Sequence, residues 1–177
     1  MTFYTVGFTL AFYTVEETLM PTATTPTAAP RTPPRWIIRT IWRAHRTLYR
    51  ATGGRLGLSR PSPTKAGLMR LRAIGRSSGI ERAVILCYVQ HDEAIVTLAM
   101  NGWGAAAPSW SLNLLAHPDA EADLVDGPRR VRARVATGAE REELWRLAGS
   151  VGGWGDDLDA FAALRPGDTD VVVLDPR

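Results

Sequence analysis

A glycine-bounded turn contains the residues of this sequence that are best suited to bind an anion. Residues 75–79 read Gly-Arg-Ser-Ser-Gly between two apolar runs, and Arg82 follows them. Glycine lets backbone N–H groups approach an anion closely, serine hydroxyls add donors, and arginine can donate two parallel hydrogen bonds to a phosphate. The pattern favours a phosphate-binding turn, and the alternative is an ordinary hairpin, since many hairpins read G-x-x-x-G.

Metal-binding motifs are missing from the sequence, including that of the metalloproteases. His45, His91 and His117 are far apart and lack the spacing of metal ligands, and neither H-E-x-x-H nor C-x-x-C occurs. Cys87 lies in the run Val-Ile-Leu-Cys-Tyr-Val, which predicts a buried, inert thiol. An enzyme is still compatible with this pattern, because in hydride transfer a cofactor carries the chemistry and the protein positions it.

A second segment combines a Trp-Gly loop with a short helix. Residues 101–104 read Asn-Gly-Trp-Gly, and residues 108–118 read Pro-Ser-Trp-Ser-Leu-Asn-Leu-Leu-Ala-His-Pro. Together with the glycine-bounded turn, this segment resembles the deazaflavin-dependent nitroreductase family, whose members use coenzyme F420. The resemblance runs from about Trp42 to Leu174. It implies an oxidoreductase built on the split β-barrel of FMN-binding-like proteins, with FMN as the second choice of cofactor.

The resemblance also implies which residues bind the cofactor. In the family the glycine-bounded turn and the following arginine hold the phosphate and the acidic tail, and the loop before the Trp-containing helix lies along the deazaflavin ring. Ser77 stands where the family usually has lysine, so this turn carries one charge fewer. Asn113 is assigned to packing of the helix on the barrel rather than to chemistry. The implied cofactor-binding residues are Arg76, Ser77, Ser78, Gly79, Arg82, Met100, Asn101, Gly102, Trp103, Gly104 and Trp110.

The implied substrate pocket departs from the family pattern. Family members carry spaced tyrosines near the C-terminus, which line the pocket and assist protonation. The corresponding stretch here offers Trp154, Leu158 and Phe161. We therefore expect a more apolar pocket without a tyrosine hydroxyl, and we assign no catalytic residue.

Charge is distributed unevenly along the 177 residues. The net charge is +3, yet residues 31–80 contain 12 basic residues and no acidic one. Such asymmetry indicates either an anionic partner or a solvated arginine-rich surface. The partner could be a phosphorylated cofactor, a membrane surface or nucleic acid, and we expect no nucleic-acid binding because the basic residues are not interleaved with exposed aromatics. The single cysteine fits a reducing compartment, so we expect a cytoplasmic protein.

The sequence divides into three parts. Residues 1–34 are rich in Thr, Ala and Pro, which predicts a disordered tail. Residues 35–54 predict an amphipathic helix with arginines on one side and Ile, Trp and Leu on the other. This helix either packs on the domain or, through residues 35–52, lies on an anionic membrane at its inner face. Residues 55–177 form the predicted split-barrel domain.

Periodicity and turn residues predict an α+β fold: a small antiparallel split β-barrel with flanking helices and the N-terminal amphipathic helix. Thr137-Gly138-Ala139-Glu140 predicts a capping box at the start of one helix. The predicted strands are 68–74, 83–89, 94–100, 121–125, 130–136 and 171–174, and the predicted helices are 109–116, 137–148 and 156–164.

Two functions follow from these observations. The first is an F420-dependent oxidoreductase that transfers a hydride to an apolar, electron-poor acceptor of the quinone or nitroaromatic class. The second is a non-catalytic protein that binds a cofactor or an anionic membrane. Split barrels often pair through their sheets, which leaves a homodimer open.

Overall fold

Six strands and three helices form within residues 57–100, 106–155 and 157–177, which together with Thr47 are the part of the chain that the computed structural model describes. In chain order they are β1 (Gly67–Ile74), β2 (Glu81–His91), β3 (Ala94–Leu98), α1 (Ser109–Ala116), β4 (Asp119–Leu124), β5 (Gly127–Val135), α2 (Gly138–Gly149), α3 (Leu158–Ala162) and β6 (Val171–Pro176).

The strands close into an antiparallel barrel in the order β1-β2-β3-β6-β5-β4. β1 pairs with β2 through a tight turn and with β4 on its other edge, which closes the barrel. β1, β3 and β5 therefore end at the same barrel end at which β2, β4 and β6 begin. The predicted small antiparallel barrel with flanking helices is confirmed. Thr47 is helical, whereas the rest of the predicted helix over 35–54 and the predicted tail over 1–34 lie outside the described residues.

The barrel interior holds the first of two apolar clusters. Along β1, buried Met69, Leu71 and Ala73 alternate with more exposed neighbours, as expected for a strand with one buried face. Trp110 and Leu114 of α1 belong to the same cluster. α1 therefore covers the barrel end at which β1 stops, and it does so with the apolar residues of its short sequence.

A second apolar cluster lies on the outer face of β3 and β6. Both strands contain four consecutive buried residues rather than alternating ones, because each is covered on both faces. Val96 and Val173 share this cluster with Leu144 of α2 and Leu158 of α3. The helices α2 and α3 thus cover the side of the barrel, while α1 covers its end.

Most observed boundaries lie within three residues of the predicted ones. β2 begins at Glu81 because that residue continues the register with Ile74. β3 ends at Leu98 rather than Met100, since the Met100 N–H donates to the Leu98 carbonyl and turns the chain away. α3 is confined to Leu158–Ala162, because short-range hydrogen bonds from residues 164 and 165 tighten and end it.

The start of α2 differs from the predicted capping box. Thr137 is the N-cap residue, but its side chain makes no capping hydrogen bond. Both carboxylate oxygens of Glu140 instead accept hydrogen bonds of 2.7 Å from Arg134 on β5. These bonds hold the pKa of the Glu140 carboxyl below its ordinary value. The prediction was wrong because a charged partner from another element competes for the carboxylate.

We expect the N-caps of α2 and α3 to contribute differently to stability. Asp157 accepts a 2.9 Å hydrogen bond from the Ala160 N–H, so Asp157→Ala should lower the free energy of unfolding by about 1 kcal/mol. Thr137→Ala loses no such bond and should change it by less than about 0.5 kcal/mol. Urea denaturation of the two variants measures both values. An equal, cap-sized loss for Thr137→Ala would contradict the observed cap geometry.

Candidate functional site

A cleft of about 540 Å³ opens at the barrel end covered by α1. One wall is the turn between β1 and β2, and the start of α1 lies opposite. Its size falls within the range of about 300–1,000 Å³ that small-molecule sites occupy. The lining residues are Leu71, Ala73, Gly75, Arg76, Ser77, Ser78, Arg82, Ala83, Val84, Pro108, Ser109, Trp110 and Asn113.

Backbone hydrogen bonds set the shape of the glycine-bounded turn. The Gly75 N–H donates to the Ile80 carbonyl at 2.9 Å, and the Gly79 N–H donates to the Gly75 carbonyl at 2.8 Å. Gly79 has a φ of 64°, a conformation that favours glycine. A Cβ on Gly75 would lie 2.8 Å from the Ser78 hydroxyl oxygen. The backbone conformation therefore favours glycine at position 79, and a side chain at position 75 would displace the Ser78 hydroxyl.

Asn113 connects this turn to α1. Its amide oxygen accepts hydrogen bonds from the Arg76 backbone N–H and from the Arg76 guanidinium, each at 3.2 Å. The Asn113 side chain is buried, with 7% of the residue exposed. Sequence reasoning assigned Asn113 to helix packing. The structure extends that role, because the same oxygen fixes both the backbone and the side chain of a predicted anion-binding residue.

The positive charge of the turn is not neutralised within the described residues. Neighbouring Arg70 and Arg72 on β1 form ion pairs with Asp123. By contrast, no carboxylate of the described chain pairs with Arg76 or Arg82, which line the cleft. Two cations that line the same cleft without counterions create a local positive potential that attracts an anionic group.

An apolar surface lies beside these cations. Leu71, Ala73, Val84 and Trp110 line the cleft, and we call these four residues the cleft floor. Leu71 and Trp110 are also part of the barrel cluster, so the floor is held in place by the core. A charged rim next to an apolar floor suits a ligand that has an anionic end and a flat apolar end.

The structure brings together only some of the residues that were assigned from the sequence. Arg76, Ser77, Ser78, Arg82 and Trp110 all line the cleft, and Gly79 shapes its turn. In a different place, Met100 is half-buried against the second apolar cluster. Asn101, Gly102, Trp103 and Gly104 lie outside the described residues. The cofactor-binding role of all these residues stays a prediction.

The predicted substrate-pocket residues lie elsewhere in the described chain. Trp154 and Leu158 are buried in the second apolar cluster, under α2 and α3. Phe161 is half-buried and packs closely on Gly155. None of the three lines the described cleft. Their assignment to a substrate pocket stays a prediction.

The thiol of Cys87 is half-buried rather than buried, and this partial burial raises its pKa. Within the described residues, no group of His, Cys, Asp and Glu side chains is arranged to hold a metal ion. The described helices include none with the length and apolarity to cross a membrane.

Comparison with known proteins identifies relatives of this chain. Residues 41–154 match the family model of F420H2-dependent quinone reductases, which covers more than half of the chain. An F420H2-dependent quinone reductase of Mycobacterium tuberculosis is 32% identical over 100 residues. That match covers 54% of this chain and 64% of the relative, so the chain spans less than two thirds of the length of the curated protein.

Two solved structures share the fold. A domain-swapped dimer matches 80% of this chain and 98% of its own, with a TM-score of 0.59 and 24% identity. An F420-H2 dependent reductase matches 61% of this chain and 93% of its own, with a TM-score of 0.54 and 24% identity. The family predicted from the sequence is confirmed by the family match, and with it the predictions of an oxidoreductase family that uses coenzyme F420.

We expect Asn113 to stabilise the turn and, because it is uncharged, to leave the positive charge of Arg76 available to an anion. Two substitutions separate these effects. Asn113→Ala removes the acceptor of two Arg76 donors, which should lower the free energy of unfolding by about 1–3 kcal/mol. Asn113→Asp keeps an acceptor but places a negative charge beside Arg76, so it should fold and bind anions more weakly. Chemical denaturation measures the first effect. A phosphate titration followed by the amide resonances of Arg76 and Ser77 measures the second.

The comparison of the two variants decides the role of this residue. Unchanged stability of Asn113→Ala would mean that the two hydrogen bonds do not support the turn. Phosphate-induced shifts of equal size and midpoint in Asn113→Asp and in the wild type would mean that Arg76 does not contribute to anion binding.

Proposed function

We propose that this chain, which belongs to the F420H2-dependent quinone reductase family, is an oxidoreductase that transfers a hydride from reduced coenzyme F420 to an apolar, electron-poor acceptor. The observation that carries the proposal is the cleft. Arg76 and Arg82, which have no carboxylate partner in the described chain, stand beside an apolar floor. We assign the acceptor to the quinone class, with nitroaromatics as the second choice.

The anionic end of the cofactor suits the glycine-bounded turn. Charge-assisted hydrogen bonds from the guanidinium groups of Arg76 and Arg82 would bind the phosphate and the acidic tail. The backbone N–H of Ser77 has no acceptor among the described residues and lines the same wall of the cleft. Because Ser77 replaces the usual lysine of the family, this backbone donor and the serine hydroxyl would contribute in place of a third cation.

The ring end of the cofactor suits the cleft floor. Leu71 and Trp110 are buried and belong to the barrel core, so they provide a surface that does not rearrange when a ring packs against it. Such a surface excludes water from one face of the ring and fixes its orientation toward the acceptor. When bound, the reduced deazaflavin supplies the hydride, and the protein supplies position and a dry environment.

The family match and the residues that line the cleft favour a quinone over a nitroaromatic acceptor. Reduction of a quinone to its hydroquinone takes one hydride and one proton, and water can supply that proton to an oxygen. Reduction of a nitro group breaks an N–O bond, and the departing oxygen needs a proton from a placed donor. The described cleft has no tyrosine, histidine or carboxylic acid among its lining residues, which agrees with the first reaction better than with the second.

Location and assembly stay predictions. A cytoplasmic location is expected from cysteine usage, and residues 35–52, on which the predicted membrane contact depends, lie outside the described residues apart from Thr47. A homodimer remains open, and one structural neighbour of this fold is a domain-swapped dimer.

We expect removal of both cleft cations to abolish tight cofactor binding. Charge-assisted hydrogen bonds are each worth about 1.5–3 kcal/mol. The double variant Arg76→Ala/Arg82→Ala should therefore lose roughly 3–6 kcal/mol of binding free energy for F420. Titration of the purified full chain with F420, followed by quenching of tryptophan fluorescence, measures this loss.

A matched control separates the cleft from general charge. Arg130 and Arg146 are exposed, lie outside the cleft and have no carboxylate partner in the described chain. The double variant Arg130→Ala/Arg146→Ala should therefore bind F420 nearly as the wild type does. Equal affinity of the wild type and Arg76→Ala/Arg82→Ala would contradict the proposed site. Anaerobic turnover with a nitroaromatic but not with a quinone would contradict the proposed acceptor.

A further inference from the structure

Both backbone groups of Ala99, the residue after β3, are bound by the segment that leads into β6. The Ala99 N–H donates to the Asp170 carbonyl at 2.8 Å, and the Ala99 carbonyl accepts from Arg165 Nη1 at 3.0 Å. The Met100 N–H then donates to the Leu98 carbonyl at 2.8 Å, which closes a γ-turn centred on Ala99. We call Leu98, Ala99 and Met100 the β3 exit.

Arg165 is half-buried, and its guanidinium has a second acceptor. Its Nη1 also donates to the Thr169 hydroxyl oxygen at 2.6 Å, and Thr169 is only 2% exposed. Arg141 on α2 donates to the Thr169 carbonyl at 3.4 Å, so α2 supports the same segment. The Arg165 guanidinium thus connects its own segment to Ala99, which lies 66 positions earlier in the chain.

The contact to the Ala99 carbonyl is made by a charged group rather than by an apolar one. Arg165 Nε is buried without a hydrogen-bond partner among the described residues, and the described chain offers this guanidinium no carboxylate. Burying part of a charged group without a partner costs free energy. An apolar residue at this position would avoid that cost. What Arg165 provides is a donor for the carbonyl of Ala99, which lies beyond the last ladder pair of β3 with β6.

The β3 exit lies at the same barrel end as the cleft. β3 and β1 both end there. Arg165 fixes the backbone of Ala99 at this end, and Ala99 belongs to the barrel cluster that contains Leu71 and Trp110 of the cleft floor.

We propose that Arg165 is a positioning residue: by binding the Ala99 carbonyl it fixes Ala99 within the barrel cluster that contains Leu71 and Trp110 of the cleft floor, and it thereby fixes the geometry of hydride transfer without contacting the reacting atoms. This inference rests on the proposed function. A displacement of about 1 Å at a distance from the chemistry can lower a rate by about a hundredfold, so a residue of this kind acts on turnover more than on binding.

The test compares the wild type with Arg165→Ala and Arg165→Lys in the full chain, with Arg146→Ala as the control for loss of an exposed arginine. In the free protein, Arg165→Ala should raise the hydrogen-exchange rates of the Ala99 and Met100 amides by about tenfold or more, and leave those of β1 and β2 unchanged. With F420 and a quinone, kcat should fall by about tenfold or more, while the Kd for F420 changes by less than about threefold. Arg165→Lys should restore part of kcat because it keeps a cationic donor.

Thr169→Val provides a second variant if Arg165→Ala does not fold. This substitution keeps the shape of the side chain and removes one acceptor of Arg165. It should therefore raise the exchange rates of the Ala99 and Met100 amides and lower kcat, each by less than Arg165→Ala does. A kcat equal to that of the wild type in both variants would overturn the inference, and so would an unchanged exchange rate at Ala99. Failure of the wild type to bind F420 would instead overturn the proposed function, and this inference with it.

Discussion

The hydrogen bonds from Arg76 to the amide oxygen of Asn113 are the contacts on which the candidate site depends. One oxygen accepts both the backbone N–H and the guanidinium of Arg76, and it does so from a helix whose apolar residues fill the barrel end. The turn is thereby fixed relative to Trp110, and an anion bound at the turn has a defined position relative to the cleft floor. The site is a consequence of how α1 packs on the barrel.

That packing in turn depends on the closure of the sheet. The pairing of β1 with β4 places the end of β1 beside the start of β4, directly after α1 and the His117-Pro118 dipeptide. The outer face of β3 and β6 is occupied by α2 and α3, which leaves the barrel end to α1 and to the cleft. The neutralised arginines of β1 and β5 lie outside, in ion pairs with β4, β6 and α2, whereas the two cations of the cleft remain without such partners in the described chain.

Local patterns were sufficient to predict much of this arrangement. Apolar runs, alternation within one strand and turn residues predicted all six strands, and the glycine-bounded turn was predicted from its residue types. Contacts between distant elements could not be predicted. The role of Asn113 depends on a partner 37 positions away, and Glu140 binds Arg134 rather than the start of its own helix. The one available signal for Asn113 was a polar residue among apolar ones on a short helix, which sequence alone cannot distinguish from ordinary packing.

In our proposal the cleft binds a deazaflavin through the apolar floor and through Arg76 and Arg82, which have no carboxylate partner in the described chain. The most direct test of this proposal is a titration of the purified full chain with F420 beside an identical titration with FMN, both followed by tryptophan fluorescence at low and at high salt. We predict saturable binding of F420 that weakens as salt rises, because Arg76 and Arg82 are exposed, and much weaker binding of FMN. Absence of F420 binding, or equal affinity for FMN, would contradict the proposal.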